Sequence, residues 1–206
     1  YLEDWGTFGR GWSMEHVAAA MTSPRYMPLI AYPKAWTEST NGEISGSPIL
    51  LEIDSADQLE AFKDSLSGAI VMLGKPRDWE PKFEAEAKRH DAEKLADLAN
   101  APELGKKSPW VERRKEWRAR RELYKKIYDL LKEENVAVVL EPSEREHGTI
   151  RVYSRGGYKM SDDPGHPTLV VSNEQYGRIY RILEKKLPVI LKIDITWVFL
   201  DIYFQR

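Results

Sequence analysis

Four histidines could act as acid–base groups near neutral pH or as metal ligands: His16, His90, His147 and His166. No two of them have the His-Glu-x-x-His spacing that places two zinc ligands on one helix face. His90, with Asp91 and Glu93, comes nearest to a metal cluster, but it lies in a charged helical stretch where we expect solvated side chains. His147 precedes a glycine and His166 stands between a glycine and a proline, so we interpret both as loop residues.

Other catalytic groups are also missing from the sequence. The absence of cysteine excludes thiolate nucleophiles, disulfides and cysteine metal ligands. No Gly-x-Ser-x-Gly nucleophile elbow occurs. The carboxylate pairs Glu133-Glu134 and Asp162-Asp163 are sequence neighbours, whereas acid–base chemistry needs two carboxylates in different environments across a cleft. We therefore predict no catalytic residues and no metal ligands in this chain.

Size and composition indicate a globular chain without an obvious charged partner. The 206 residues allow one decorated domain or two small ones, and 42% hydrophobic residues with seven tryptophans can form a core. The net charge of −2 does not by itself point to nucleic acid or a membrane. The sequence contains no run of 18 apolar residues, so we predict no transmembrane helix. We also expect no signal peptide within this sequence.

Three apolar, β-branched runs should form the central strands. They are Leu66–Leu73, Glu134–Leu140 and the first part of Pro167–Tyr176. A further strand is predicted over Ile49–Ile53, followed by a helix that begins near Ser55. This alternation of strands and helices is typical of an α/β layer.

Four further segments have local signals. Met14–Met21 is predicted as a short helix with Ser13 as its N-cap, and Ala31–Trp36 as extended because of Pro33. Thr149–Tyr153 alternates like a strand, and Ser172 should cap a helix that runs through Leu183.

A long basic helix is predicted after a polar stretch at 74–108, which we interpret as a helical insertion with loops. Pro109 fits the first turn of that helix, which should end near Asn135. A large apolar residue recurs every seven positions, at Trp110, Trp117, Tyr124 and Leu131. These residues share one helix face, which we expect to be buried against the strands.

The same helix leaves a second function open. Ten lysines and arginines lie between positions 106 and 126 and interleave with the aromatic residues, as on nucleic-acid-binding surfaces. If the aromatic face is buried, the charges form a solvated face on which Glu116 can pair with Arg120. The alternative is a free-standing module that binds a polyanion or nucleic acid through residues 106–126.

The last stretch, from Val189 to Phe204, alternates with the two-residue period of a half-buried strand. If its partner strands belong to another domain, its backbone groups and apolar face are left unpaired. We therefore expect this strand to drive self-association.

Longer motifs resemble one enzyme family. They are Trp5-Gly-Thr-Phe-Gly-Arg-Gly-Trp12, Ala31-Tyr-Pro-Lys-Ala-Trp36 with Thr40-Asn-Gly42, Glu146-His-Gly-Thr-Ile150, and Ser172-Asn-Glu-Gln-Tyr-Gly-Arg-Ile179. Together with the apolar strands, they resemble zinc exopeptidases of the aminopeptidase and plasma glutamate carboxypeptidase type, in the branch with an inserted protease-associated domain. The zinc-binding part of that family carries a Gly-x-His-x-Asp-Ser motif, which this sequence lacks.

The resemblance implies an α/β fold: a protease-associated-domain-like β-sandwich or open barrel flanked by helices, with the long basic helix and a helical insertion at 74–108. Residues 1–47 would be a lead-in from the parent catalytic domain. Residues 48–194 would be the protease-associated domain, and 195–206 the connection toward the catalytic domain.

The implied function is that of a non-catalytic fragment of a secreted or periplasmic aminopeptidase or carboxypeptidase, with zinc in the parent domain and none here. Such a module shapes substrate access or mediates protein interaction. Its expected partners are the parent catalytic domain and peptide substrates near its surface. We expect the contacts to be made by loop aromatics, at Trp12, Trp36 and Tyr158.

Overall fold

The computed structural model of the chain describes residues 9–80, 83–85, 87–100 and 109–201, without the side chains of Pro109, Trp110, Glu112 and Asp201. The chain divides into two compact units. Residues up to Arg77 and from Lys126 onward form the first unit, and Asp78–Lys125 form the second.

The described residues of the first unit contain nine strands in two sheets. They are β1 (Arg10–Ser23), β2 (Met27–Pro28), β3 (Ala31–Pro33), β4 (Ile44–Gly46), β5 (Ile49–Leu51), β6 (Ile70–Leu73), β7 (Val138–Pro142), β8 (Thr168–Val171) and β9 (Ile190–Asp201). The helices are α1 (Ala92–Ala99), α2 (Pro109–Glu133) and α3 (Asn173–Glu184), with a 3-10 helix at Ala56–Phe62 in place of the α-helix expected after Ser55. None of the helices in the described ranges is both long and apolar enough to span a membrane.

The first sheet is antiparallel and has the strand order β2-β1-β9-β4. Its centre is a long ribbon in which β1 pairs with β9 from Arg10 opposite Asp201 to Ser23 opposite Ile190. The helix predicted over Met14–Met21 is therefore wrong. Pairing along β9 outweighs the helix propensity of the three alanines at positions 18–20, as tertiary context commonly does.

The second sheet has the order β3-β8-β7-β6-β5, in which β5 to β8 are parallel and β3 is antiparallel to β8. All residues of β6 and β8 are buried, as expected for parallel strands that are covered on both faces. The strand predicted over Thr149–Tyr153 does not form. In its neighbourhood the structure has a single isolated bridge between Ala35 and Ser154.

The main core joins both sheets to α3. From β9 it contains Leu191, Ile193, Ile195 and Trp197, which confirms the two-residue period of that strand. The second sheet contributes alternate residues such as Met72 and Leu140, and α3 contributes Tyr176 and Ile179. The predicted helix after Ser172 is confirmed, and burial of one of its faces places it against the core.

Helix α2 begins and ends close to the predicted residues, but only part of its aromatic face is buried. Leu131 is fully buried and Ile127 nearly so, whereas 63% of Trp117 is exposed. The prediction that Trp117 is buried is therefore wrong. Trp117 lies two heptads before Leu131, in the part of α2 that belongs to the second unit. The side chain of Trp110 is not among the described parts of the structure.

The C-terminal strand also differs from expectation. Strand β9 pairs with β1 along Ile190–Asp201 on one side and with β4 at Leu191–Ile193 on the other, so its partner strands lie within this chain. Self-association was expected because the partner strands of this segment would belong to another domain, and that reason is wrong. Phe204 lies outside the described residues. Strand β9 continues through residue 194 without a break. The expected domain boundaries at residues 47 and 194 stay a prediction.

Candidate functional site

The three aromatic residues singled out in the sequence lie together in the first unit. The ring centroids of Trp12 and Trp36 are 6.3 Å apart, and those of Trp36 and Tyr158 are also 6.3 Å apart. A fourth residue, Trp197, joins them, with its ring centroid 4.1 Å from that of Trp12. We refer to Trp12, Trp36, Tyr158 and Trp197 as the aromatic cluster.

The β1–β9 ribbon positions two members of this cluster. Trp197 lies opposite Met14, and Trp12 lies opposite Phe199. Because side chains two residues apart share a sheet face, Trp12 and Trp197 are diagonal neighbours on one face, within reach of large rings.

Trp36 follows β3 in a left-handed backbone conformation, with a φ of 55°. This conformation is unfavourable for a bulky residue and is found where the surroundings enforce it. Two hydrogen bonds hold Trp36 here. Its indole Nε1 donates to the carbonyl of Arg10 at 3.1 Å, and its own carbonyl accepts from the backbone N–H of Gly165 at 2.8 Å.

Two glycines, Gly9 and Gly156, allow the loop that contains Tyr158 to lie against Trp36 and β1. A side chain at Gly9 would overlap the carbonyl of Tyr158, and one at Gly156 would overlap the carbonyl of Trp36. The backbone N–H of Arg10 donates to the Tyr158 carbonyl at 2.8 Å. The described part of the first motif, Gly9–Trp12, therefore shares one structural role with the Ala31–Trp36 motif and the glycine pair at 156–157.

Two indoles of the cluster and the neighbouring Arg10 have buried N–H donors without a described partner. Nε1 of Trp12, Nε1 of Trp197 and Nε of Arg10 are buried and have no hydrogen-bond partner among the described residues. Buried indole N–H groups usually have one. The Arg10 guanidinium also donates to the Asp162 carbonyl and lies 4.8 Å from the ring centroid of Phe199. Tyr158 is half exposed and forms the accessible edge of the cluster.

The side chains of this cluster can pack, stack and donate hydrogen bonds. Its members offer ring faces, a phenol and N–H donors, which can bind apolar side chains and carbonyl or carboxylate oxygens. They supply no activated nucleophile and no general base. Arg10 and Trp197 were not predicted as site residues, although the position of Arg10 between two glycines was a usable signal.

A second group of polar residues surrounds Glu141 of β7 in the second sheet. Lys34 Nζ lies 2.6 Å from Glu141 Oε2, and both side chains are largely buried. The Tyr128 hydroxyl donates to the other oxygen of Glu141, and the Arg155 guanidinium lies over the Tyr128 ring. Burial, and then the Glu141 carboxylate, raise the pKa of Tyr128 well above its ordinary value. Lys34 thus connects the Ala31–Trp36 motif to β7.

His166 lies just before β8 in the loop predicted for it. Burial lowers the pKa of His166 to about 4, against a hydrogen bond with the backbone of Val136 that raises it. Its Nε2 atom is buried without a partner in the described part of the chain. Of the other predicted loop and surface histidines, His16 lies 3.8 Å from Asp194, and His147 lies beside Glu146. Within the first unit, His16, His147 and His166 thus have different neighbours.

The described residues do not fit a catalytic zinc site. Such a site needs three protein ligands and an open position. Within the described ranges, no group of three or more His, Cys, Asp or Glu side chains could hold a metal ion. His90, Asp91 and Glu93 are all exposed, and Asp91 caps α1 by accepting from the backbone N–H of Lys94.

Comparison with known proteins gives structural neighbours only. No protein-family model matches the chain, and no curated protein matches its sequence. A crystal structure of a peptidase M28 precursor from Shewanella amazonensis is similar, with a TM-score of 0.51 and 14% identity over 92% of this chain and 36% of that one.

Two other solved structures are also similar. An aminopeptidase from Aneurinibacillus matches with a TM-score of 0.48 and 6% identity, over 93% of this chain and 34% of its own. A zinc aminopeptidase from Bacillus subtilis matches with a TM-score of 0.44 and 7% identity, over 92% of this chain and 32% of its own. This chain thus spans about a third of the length of the solved structures that it resembles. The similarity to the Shewanella structure shows a mixed α/β fold shared with part of that structure.

Proposed function

We propose that this chain is a non-catalytic, protease-associated-type module of a zinc-dependent exopeptidase, which shapes substrate access or contacts another polypeptide. One observation carries the proposal. The fold similarity covers 92% of this chain but only 36% of a peptidase structure, which supports a chain that is similar to one part of such an enzyme. The parent would be secreted or periplasmic and would hold its zinc in another part of the polypeptide.

The aromatic cluster is the proposed contact site for a peptide or for the parent catalytic domain. Tyr158 supplies exposed ring surface, and the indole N–H groups of Trp12 and Trp197 are donors without a described partner. Exposed aromatics backed by a rigid sheet are favourable anchors for protein contacts.

The catalytic part of the proposal is tested by elemental analysis of the purified chain after dialysis, with a peptidase assay on aminoacyl substrates. We expect no stoichiometric zinc and no turnover. One tightly held zinc per chain together with turnover would overturn the proposal. A Gly-x-His-x-Asp-Ser motif in the reading frame after Arg206 would support it independently.

The contact site is tested by NMR titration of the chain with short unstructured peptides. Replacement of Tyr158 by Ala should weaken any binding, whereas Tyr153→Ala should not, although Tyr153 is equally exposed. Equal effects of the two substitutions would remove the aromatic cluster from the proposal and leave the module assignment standing.

A further inference from the structure

The second unit exposes one aromatic side chain on a strongly basic helix. Trp117 of α2 is 63% exposed, and every residue of Arg113–Lys125 is exposed except Leu123 and Tyr124, which are partly buried. We refer to Arg113–Lys125 as the basic segment. Tryptophan is highly buried on average, whereas Trp117 exposes most of its side chain on a regular helix.

Charge is concentrated in this segment. It contains seven lysines and arginines against two glutamates, a net charge of +5 in a chain whose overall net charge is −2. The small overall charge therefore conceals strong segregation, with the remainder of the chain acidic. A local field of one sign attracts an oppositely charged partner regardless of the total charge.

The cations are arranged around the aromatic rings. The guanidinium of Arg121 lies 5.7 Å from the ring centroid of Trp117, and that of Arg120 lies 5.5 Å from the ring centroid of Tyr124. On a helix, Arg113, Trp117, Arg120, Arg121 and Tyr124 fall on one side, because residues three and four apart are neighbours. A ring available for stacking thus lies beside cations that can reach phosphates.

These features distinguish between possible occupants. A second copy that docked through its own basic segment would bring two segments of +5 together, which like-charge repulsion disfavours. An acidic peptide would satisfy the charge but makes no particular use of an indole held in the open. A single nucleic-acid strand uses both features, because its phosphates pair with cations and its bases stack on aromatic rings.

We infer that the basic segment binds single-stranded nucleic acid, with Trp117 stacking on a base and the neighbouring arginines and lysines contacting phosphates. This inference goes beyond the proposed function and does not depend on it, since the basic segment and the aromatic cluster lie in different units.

The test is fluorescence anisotropy of a labelled oligothymidylate of about 16 nucleotides, the upper end of common site sizes. We expect binding that weakens steeply between about 50 and 200 mM salt, with roughly −0.7 in the log–log slope for each phosphate neutralised. Trp117→Ala should weaken binding roughly tenfold, and Trp117→Phe should retain most of it, because a stacking surface remains. Unchanged circular dichroism would show that both variants fold.

Matched controls are available in the first unit. Tyr26→Ala removes another exposed aromatic, and Arg25→Glu makes the same change in net charge as Arg118→Glu. Only Trp117→Ala and Arg118→Glu should weaken binding, and Arg118→Glu should also lower the salt slope. The inference would be overturned if neither Trp117→Ala nor Arg118→Glu weakened binding, or if the control variants weakened it equally. Tighter binding of poly-glutamate or heparin than of the oligonucleotide would also overturn it.

Discussion

At the scale of single residues, His166 gives the protein a pH-dependent stability. Burial favours the neutral imidazole and lowers the pKa of His166 from 6.5 to about 4. Below pH 6.5 the unfolded chain binds a proton that the folded chain does not. The contribution of His166 is therefore fully present above pH 6.5 and is lost as the pH falls toward 4.

Replacement of His166 by Gln should flatten this part of the stability profile. The expected loss for the natural chain between pH 6.5 and pH 4 is up to roughly 3 kcal/mol from this group, by linkage. Chemical denaturation at a series of pH values measures it, with His90→Gln as a control at an exposed position. Identical profiles for the His166→Gln and natural chains would contradict the prediction.

The ion pair between Lys34 and Glu141 should be sensitive to removal of one partner. Lys34→Met leaves the Glu141 charge largely buried with only the Tyr128 hydroxyl as a described side-chain partner, which should cost roughly 3–5 kcal/mol of unfolding free energy. Adding Glu141→Gln should restore part of this loss, because no charge then remains buried.

A matched control for this pair is Lys192→Met. Lys192 Nζ lies 2.7 Å from Glu43 Oε1, but both side chains are about half exposed. Its loss should cost less than about 1 kcal/mol, the usual range for exposed pairs. Similar losses for Lys34→Met and Lys192→Met in urea unfolding would show that burial of the first pair has no energetic consequence.

At the scale of elements, α2 has one apolar stripe with two different environments. Trp117→Ala should change the unfolding free energy by less than about 0.5 kcal/mol, as at other surface sites. Leu131→Ala, on the same stripe but fully buried, should cost about 2–5 kcal/mol. Thermal or urea unfolding of the two variants measures the difference, and a larger effect at Trp117 would mean that its ring is buried.

At the scale of the whole molecule, the β1–β9 ribbon ties the two ends of the described chain together. A version that ends at Asp194 lacks Ile195 and Trp197 of the core and half of the ribbon, so it should lose its cooperative thermal transition. A version that ends at Val198 keeps both residues and should retain that transition. Cooperative unfolding of both versions, measured by calorimetry, would show that the end of β9 is dispensable.

Local patterns predicted the central strands and two of the helices because their signals are contained within a few residues. The runs around Ile70, Val138 and Leu169, the helix after Ser172 and the length of α2 all belong to this class. The segments at Met14–Met21 and Thr149–Tyr153 were wrong because their fate depends on partners far along the chain. Residues near Met14 pair with β9, and the segment after Thr149 has no strand to pair with in the described structure.

The sequence by itself determined the apolar central strands, the period of β9, the spacing of its four histidines along the chain and the spacing of the aromatic residues along α2. Only the tertiary structure decided which aromatics meet. Trp12, Trp36, Tyr158 and Trp197 converge from four distant segments, while Trp117 stays exposed despite sharing a heptad stripe with buried Leu131. The physical reason is that helix and strand periods are local properties of the backbone, whereas burial depends on which surfaces the rest of the chain supplies.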